Sequence, residues 1–223
     1  MGEQYTNGFE KDEALKKLMQ VEFEALIEGA EVLEGDAYGP KIYRLRDGMM
    51  LKMFRLKRWF SSALLFPYSR RFERNCRRLR ALGVPCPEIV ETFQVPHIAR
   101  DALLYQPLEG ETVRRLIQKG LTAETGRTIR IEVADFINRL HEAGILFRSL
   151  HLGNVVRCTS GGYGLIDVAD LSISRRSLSR WKKDRNFAHL ARCAEDAPWL
   201  NADGDFVQLC AARVGVCRQH GDE

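Results

Sequence analysis

No Cys-x-x-Cys pair occurs among the six cysteines, at positions 76, 86, 158, 193, 210 and 217. Thiolate metal-site spacing is therefore missing, and a chain of 223 residues is too long to resemble a disulfide-stapled secreted domain. The thiols read as reduced residues that mostly fill the core. Long apolar runs are missing too. The longest candidate, residues 59–68, is about half of the roughly 18–20 residues needed to span a bilayer, although its basic flanks would let it rest on a membrane surface. Met1 to Tyr5 lead into polar and charged residues rather than an apolar stretch, so a secretory leader is not expected. Gly2 and Thr6 fit the loose myristoylation pattern, which many unmodified chains also match. There is no internal repeat and no low-complexity tract. Neither sign of charge dominates: 34 Lys and Arg against 30 Asp and Glu leave a net charge of +4.

What is present is an uneven distribution of that charge. Residues 22–36 are acidic, with Glu22, Glu24, Glu28, Glu31, Glu34 and Asp36 in quick succession. Residues 52–80 hold ten lysines and arginines, and residues 175–185 hold six more. Such clusters attract phosphate, nucleic acid or anionic membrane, or serve as solvated helix faces. A nucleic-acid module would need aromatics interleaved with the basic residues, and only Trp59, Phe60 and Trp181 meet that description, so nucleic acid is not the expected partner.

Hydropathy patterning predicts an α+β protein. Residues 11–19 have the pattern of a short amphipathic helix, in an N-terminal extension covering 1–27. Strands are predicted at 30–34, 41–45 and 49–54, joined by a Gly-containing turn at 35–40 and a two-residue turn at Asp47 and Gly48. Residues 69–82 have helical periodicity, with Phe72, Cys76, Leu79 and Leu82 on one stripe, and Gly83 to Pro87 stop that helix. Two further strands follow at 89–95 and 102–106, giving five strands and one helix between 28 and 106. From 107 to 223 the pattern is mostly helical, at 111–119, 128–143 and 184–195, with Ile131, Ala134, Phe136, Ile137 and Leu140 as packing positions.

The most informative stretch is Ile145 to Asn154, followed after a Gly161-Gly162 turn by Gly164 to Asp170. Asn154 and Asp167 place an amide oxygen and a carboxylate thirteen residues apart across a predicted hairpin. Mg²⁺ prefers a few such oxygens completed by phosphate and water. The spacing is similar to H-R-D-x-x-x-x-N followed by the metal-binding Asp of protein-kinase-like enzymes, with Phe147, Arg148 and Ser149 in the first three places.

These loops and the element order resemble the bacterial lipopolysaccharide core kinase family, which includes members called toluene tolerance proteins, within the protein-kinase-like superfamily. The resemblance covers roughly residues 28–195. It implies a two-lobed fold: an N-lobe at 28–106 with a five-stranded antiparallel sheet and one helix, and a compact helical C-lobe at 107–223. It also implies ATP and Mg²⁺ as cofactors. In that frame Lys52 resembles the strand lysine that holds the nucleotide phosphates, and Glu73 the helix acid that pairs with it. Gly35 and Gly39 stand in the place of the glycine-rich phosphate loop without completing G-x-G-x-x-G. Backbone near Gln106 and Leu108 stands where adenine would bind. Asn154 and Asp167 stand for the metal ligands.

The departure is Ser149, which occupies the place of the catalytic aspartate. A serine hydroxyl has no useful basicity near neutral pH. Three explanations stand: a pseudokinase that binds nucleotide without transfer, His151 acting as the base, or transfer driven by positioning and metal charge alone. Arg148 then anchors the loop. The resemblance implies a lipopolysaccharide core glycolipid, or a small-molecule sugar, as acceptor. It also implies a cytoplasmic location with peripheral contact at the inner membrane.

Overall fold

The computed structural model describes residues 15–55, 67–202, and 204, 206 and 210. The chain is an α+β protein whose first half is dominated by one sheet. After β1 (Lys16–Lys17) and α1 (Gln20–Leu26) come β2 (Glu31–Asp36), β3 (Gly39–Arg44) and β4 (Met50–Arg55), then α2 (Tyr68–Ala81), β5 (Glu88–Val95) and β6 (Arg100–Gln106). The sheet order is β1-β5-β6-β4-β3-β2. All pairings are antiparallel except β1 with β5.

Strand alternation sets which side chains face which core. Leu51 and Met53 of β4 point to one side, where they join Tyr43, Phe93, Val95 and Ala102. Phe54 points to the other side, against Phe72 of α2 at 6.1 Å between ring centroids. Lys52 shares that second face, with its ammonium 5.4 Å from the Phe72 ring.

The β3–β4 connection differs from the predicted two-residue turn. The Leu45 N–H donates to the Met49 carbonyl at 2.8 Å, which leaves the three-residue loop Arg46, Asp47 and Gly48. Gly48 has φ +85°, the left-handed position that a three-residue hairpin requires and that glycine adopts without a Cβ clash.

The predicted helix at 11–19 is not what forms. Residues 11–14 lie outside the described residues, and Lys16 and Lys17 pair with Phe93 and Gln94 as a sixth, parallel edge strand. Leu18 donates its N–H to the Gln94 carbonyl at 2.8 Å and buries its side chain in the sheet core. The helix begins only at Gln20, where Glu22 accepts from the Met19 N–H at 2.8 Å. Its Phe23 enters the same core. An open edge of β5 and an apolar hollow outweigh the weak local helical pattern. Residues 15–27 are thus built into the sheet and its core.

Helix α2 forms where its periodicity predicts, and Phe72, Cys76 and Leu79 are buried. Leu82 is not; at 46% exposure it lies past the end of the helix. The Gly83 N–H donates to Arg80 and the Val84 N–H to Leu79, both at 2.9 Å, and Gly83 has φ +70°. That pattern is a Schellman stop.

The second half is less purely helical than its pattern suggests. Its elements are β7 (Gly110–Thr112), α3 (Val113–Gln118), α4 (Ala123–Glu142), β8 (Ile145–Phe147), β9 (Val155–Cys158), β10 (Tyr163–Leu165), β11 (Leu171–Ile173), α5 (Arg180–Ala191) and α6 (Ala197–Leu200). The helix predicted at 111–119 gives up its first residues to β7, which pairs with β9. Thr112 then caps α3 by accepting from the Arg115 N–H at 3.3 Å. Thr122 starts α4 in the same way, earlier than predicted. The helix predicted at 184–195 runs from Arg180 to Ala191 instead. Ala134, Phe136, Ile137 and Leu140 join the larger core as predicted, whereas Ile131 is only half-buried. That core runs from Phe72 and Leu103 through α4 to Phe147 and Leu165. Of the cysteines, Cys76, Cys86, Cys158 and Cys210 are buried and Cys193 is partly buried; Cys217 lies outside the described residues.

The two halves are stitched at Gly164. The Leu165 N–H donates to the Pro85 carbonyl at 2.9 Å. A Cβ on Gly164 would lie 2.5 Å from Leu108 Cδ2 and 2.6 Å from that carbonyl. Gly164→Ala is therefore expected to destabilise the chain by about 1–3 kcal/mol, read as a lower urea midpoint with unchanged slope.

Candidate functional site

The two residues that the sequence places far apart meet directly. Lys52 Nζ lies 2.6 Å from Asp167 Oδ1, across 115 positions of chain. Strand alternation turns Lys52 to the α2 face, where its ammonium lies 5.9 Å and 5.4 Å from the ring centroids of Phe54 and Phe72. Asp167 follows β10 and adopts a left-handed conformation, φ +54°, before the short turn Val168–Asp170. An aspartate tolerates that region better than most residues, and single non-glycine residues held there concentrate at functional sites. The Lys52 side chain is 15% exposed and that of Asp167 is 52% exposed. Water therefore screens the pair, and its net contribution to stability is about 1 kcal/mol or less. Its significance is positional.

Asn154 is brought to the same end of the β9–β10 hairpin, where the Ile166 N–H donates to the Asn154 carbonyl at 3.0 Å. Its side chain is buried, and Nδ2 donates to the Ser149 carbonyl at 3.3 Å. That bond orients the amide and leaves its oxygen as the atom that could take a cation. A cleft of about 410 Å³ opens beside the ion pair, lined by Lys52, Asp167, Ser149 and Asp170 among others.

Helix α2 does not supply the expected partner for Lys52. Glu73 accepts from Thr92 Oγ1 at 3.0 Å and from Arg77 at 3.1 Å, so its carboxylate faces β5 and its own helix. The α2 residue that reaches the Asp167 turn is Asn75, which the sequence reading missed. Its Nδ2 donates to the carbonyls of Val168 at 2.7 Å and Leu171 at 3.3 Å, and the residue is buried. The available signal was an uncharged amide between Phe72 and Cys76 on the packing stripe of an arginine-rich helix.

The loop carrying Ser149 is held from behind. Asp196, fully buried, accepts from the Leu152 N–H at 2.7 Å and from Arg114 at 2.8 and 3.0 Å. Arg114 also pairs with Glu195. Asn186 donates to the Phe147 carbonyl at 2.9 Å and accepts from His141 Nε2 at 2.9 Å. Ser149 is half-buried and lines the cleft, whereas Arg148 is exposed. His151 sits behind the loop, with Nδ1 buried and without a partner among the described residues. Burial, reinforced by Arg114, lowers its pKa. It does not line the cleft, so the structure does not place it as the base.

The remaining predicted positions lie at the margins. Gly35 and Gly39 flank the β2–β3 turn at Ala37 and Tyr38, but the backbone of that tip is already engaged. The Tyr38 N–H donates to Asp36 at 2.8 Å, and Arg100 donates to the carbonyls of Tyr38 and Pro40. Arg55 pairs with Asp36 at 2.7 Å. The N–H bond from Tyr38, with Arg55 and Lys41 nearby, holds the Asp36 carboxyl below its ordinary pKa. Gln106 closes β6 opposite Glu88, and Leu108 packs on Gly164; neither lines the cleft with Lys52. A larger hollow of about 680 Å³ lies against β7, α4 and the β9–β10 turn. Glu111 pairs there with Arg115 and Lys119, Glu132 accepts from Tyr163, and the hollow holds none of the predicted catalytic, nucleotide or metal residues.

Among the described residues no three His, Cys, Asp or Glu side chains gather as a metal cage. Asn154 and Asp167 nonetheless fit Mg²⁺, which commonly takes one or two protein oxygens and completes its shell from phosphate and water.

Two outcomes follow for this supporting shell. Asn75→Ala removes the donor for two carbonyls and is expected to cost about 1–3 kcal/mol, with hydrogen exchange accelerated at residues 168–173 more than in the sheet. Burial pulls the pKa of His141 below its ordinary 6.5, against the raising effect of its bond to Asn186. The unfolded chain therefore binds this proton first. The contribution of His141 is complete above pH 6.5 and is lost as pH falls toward the folded pKa. Thermal midpoints should decline from about pH 7 to about pH 5, and His141→Gln should flatten that decline.

No protein-family model matches the chain, and no curated protein matches it.

Proposed function

We propose that the chain is an ATP- and Mg²⁺-dependent phosphotransferase with a protein-kinase-like, two-lobed fold, the sheet and α2 serving as the N-lobe and residues 107–223 as the C-lobe. The observation that carries this reading is the 2.6 Å contact between Lys52 and Asp167, made at a cleft that Ser149 also lines, with Asn154 bonded to the Ser149 carbonyl at the same end of the hairpin. A cation for phosphate oxygens and two oxygen ligands for a metal are the minimum set for phosphoryl transfer, which depends mostly on positioning and charge. Mg²⁺ would neutralise charge that develops on the transferred group. In this reading Lys52 would hold phosphate oxygens of the nucleotide, and Asp167 with Asn154 would hold the metal. Asn75 takes over from Glu73 the task of tying α2 to the site.

The acceptor proposed is a sugar hydroxyl of lipopolysaccharide core, or a smaller sugar, on the strength of the family resemblance. Charge supports an anionic acceptor. Arg78 donates to the Ile173 carbonyl at 2.9 Å, which joins the basic helix α2 to the strand leading into Arg175 and Arg176. Exposed Trp181 and Lys182 continue that basic region on α5. The resemblance adds peripheral contact with the inner membrane from the cytoplasmic side; among the described residues no helix is long and apolar enough to cross a membrane. The apolar stretch 59–66 and the myristoylation pattern lie outside the described residues.

One observation favours a second reading. Ser149 offers the cleft no carboxylate. A pseudokinase that binds nucleotide, or a partner in envelope assembly, without transfer would have that composition.

A thermal-shift titration with ATP, with and without Mg²⁺, tests the nucleotide site. A ligand that binds only the folded state raises the midpoint once its concentration exceeds its Kd. A Mg²⁺-dependent rise that disappears in Lys52→Ala is expected. No rise at millimolar ATP would remove the phosphotransferase reading.

A further inference from the structure

Besides Asp167, two carboxylates line the cleft: Glu34, which pairs with Lys41, and Asp170, which the reading above leaves idle. Asp170 ends the turn after Asp167 and lines the same cleft as Lys52, Ser149 and Asp167. Its Oδ1 is closed off from solvent and has no hydrogen-bond partner among the described residues. A carboxylate oxygen stripped of water and given no donor is costly, and in a folded protein such an atom calls for a catalytic role, an ion or a bound water.

The fold holds Asp170 beside the deficient position. Antiparallel pairing sets Leu171 opposite Phe147 in the β8–β11 ladder. Asp170 immediately precedes that ladder as Arg148 and Ser149 immediately follow it, and Asp170 and Ser149 line the same cleft. Asn75 grips the carbonyls of Val168 and Leu171 on either side. Asp170 is therefore fixed at both flanks, in front of a loop that Asp196 and Asn186 hold from behind.

We propose that Asp170 is a catalytic residue that supplies the carboxylate missing at position 149. It accepts the hydrogen bond of the acceptor hydroxyl and orients its oxygen toward the γ-phosphorus of a bound nucleoside triphosphate. As the acceptor oxygen bonds to that phosphorus, the bond from phosphorus to the β,γ-bridging oxygen breaks. The nucleoside diphosphate leaves with the electron pair, and the hydroxyl proton passes to the Asp170 carboxylate. This inference rests on the phosphotransferase reading, and it removes the conflict that Ser149 poses for it.

The test uses ATP, Mg²⁺ and water as the acceptor, reading ADP release beside the Mg²⁺–ATP thermal shift. Asp170→Asn keeps the shape and removes the charge. The expected result is ADP release reduced by about 100-fold or more with the thermal shift retained. Ser149→Asp added to that variant is expected to recover at least about tenfold of the loss, since it returns a carboxylate to the neighbouring position. Asp170→Ser serves as the second variant if the amide lowers the ligand-free midpoint. ADP release at the wild-type rate in Asp170→Asn overturns the assignment and leaves the phosphotransferase reading standing. Loss of the thermal shift together with turnover also overturns it, since that marks a structural role. A wild type that binds Mg²⁺–ATP and releases no ADP overturns it as well. A wild type without any Mg²⁺-dependent shift instead fails at the nucleotide site, and the phosphotransferase reading falls with it.

Discussion

The contact between Lys52 and Asp167 joins the middle of a strand to the end of a hairpin more than a hundred residues away, and the chemistry available to the chain depends on its geometry. Neither partner is held by the ion pair itself, because Asp167 is half exposed and water screens the attraction. Lys52 is aimed by β4, whose alternate residues are locked into the core of the sheet. Asp167 is aimed by a left-handed backbone and by the turn that follows it. The weak bond therefore reports a strongly imposed arrangement.

That arrangement rests on buried polar side chains, each bonding backbone that would otherwise lack a partner. Asn75 holds the turn after Asp167, Asp196 holds the loop at Leu152, and Asn186 holds the strand end at Phe147. Such groups contribute little net stability when satisfied and cost much when broken. They select one backbone path rather than strengthen the fold in general. The same logic makes the unpartnered Oδ1 of Asp170 informative, because Asn75, Asp196 and Asn186 each find protein partners.

Much of the sheet and the hairpin loops was legible in the chain. Alternation in 49–54 placed Lys52 on the face opposite Leu51 and Met53, and the periodicity of 69–82 marked the buried face of α2 apart from Leu82. The spacing of Asn154 and Asp167 across Gly161 and Gly162 put both at one end of the hairpin, where the Ile166 N–H donates to the Asn154 carbonyl. What escaped depends on tertiary partners. The angular phase of α2 against the sheet decides that Asn75, not Glu73, faces Asp167, and composition favours the charged residue. The strand at Lys16 exists because β5 presents an edge, and β7 exists because β9 does. The glycines at 35 and 39 mark a hairpin truly, but the arginines at 55 and 100 that tie its tip come from other strands.

The central claim is that β4 and the Asp167 turn form one site for a metal–nucleotide complex. Hydrogen exchange followed by mass spectrometry, with and without ATP and Mg²⁺, tests it most directly. The account predicts that amides of residues 50–55 and 165–171 gain protection together, and only when both ATP and Mg²⁺ are present. Protection confined to one of the two segments, or equal protection without Mg²⁺, would contradict it.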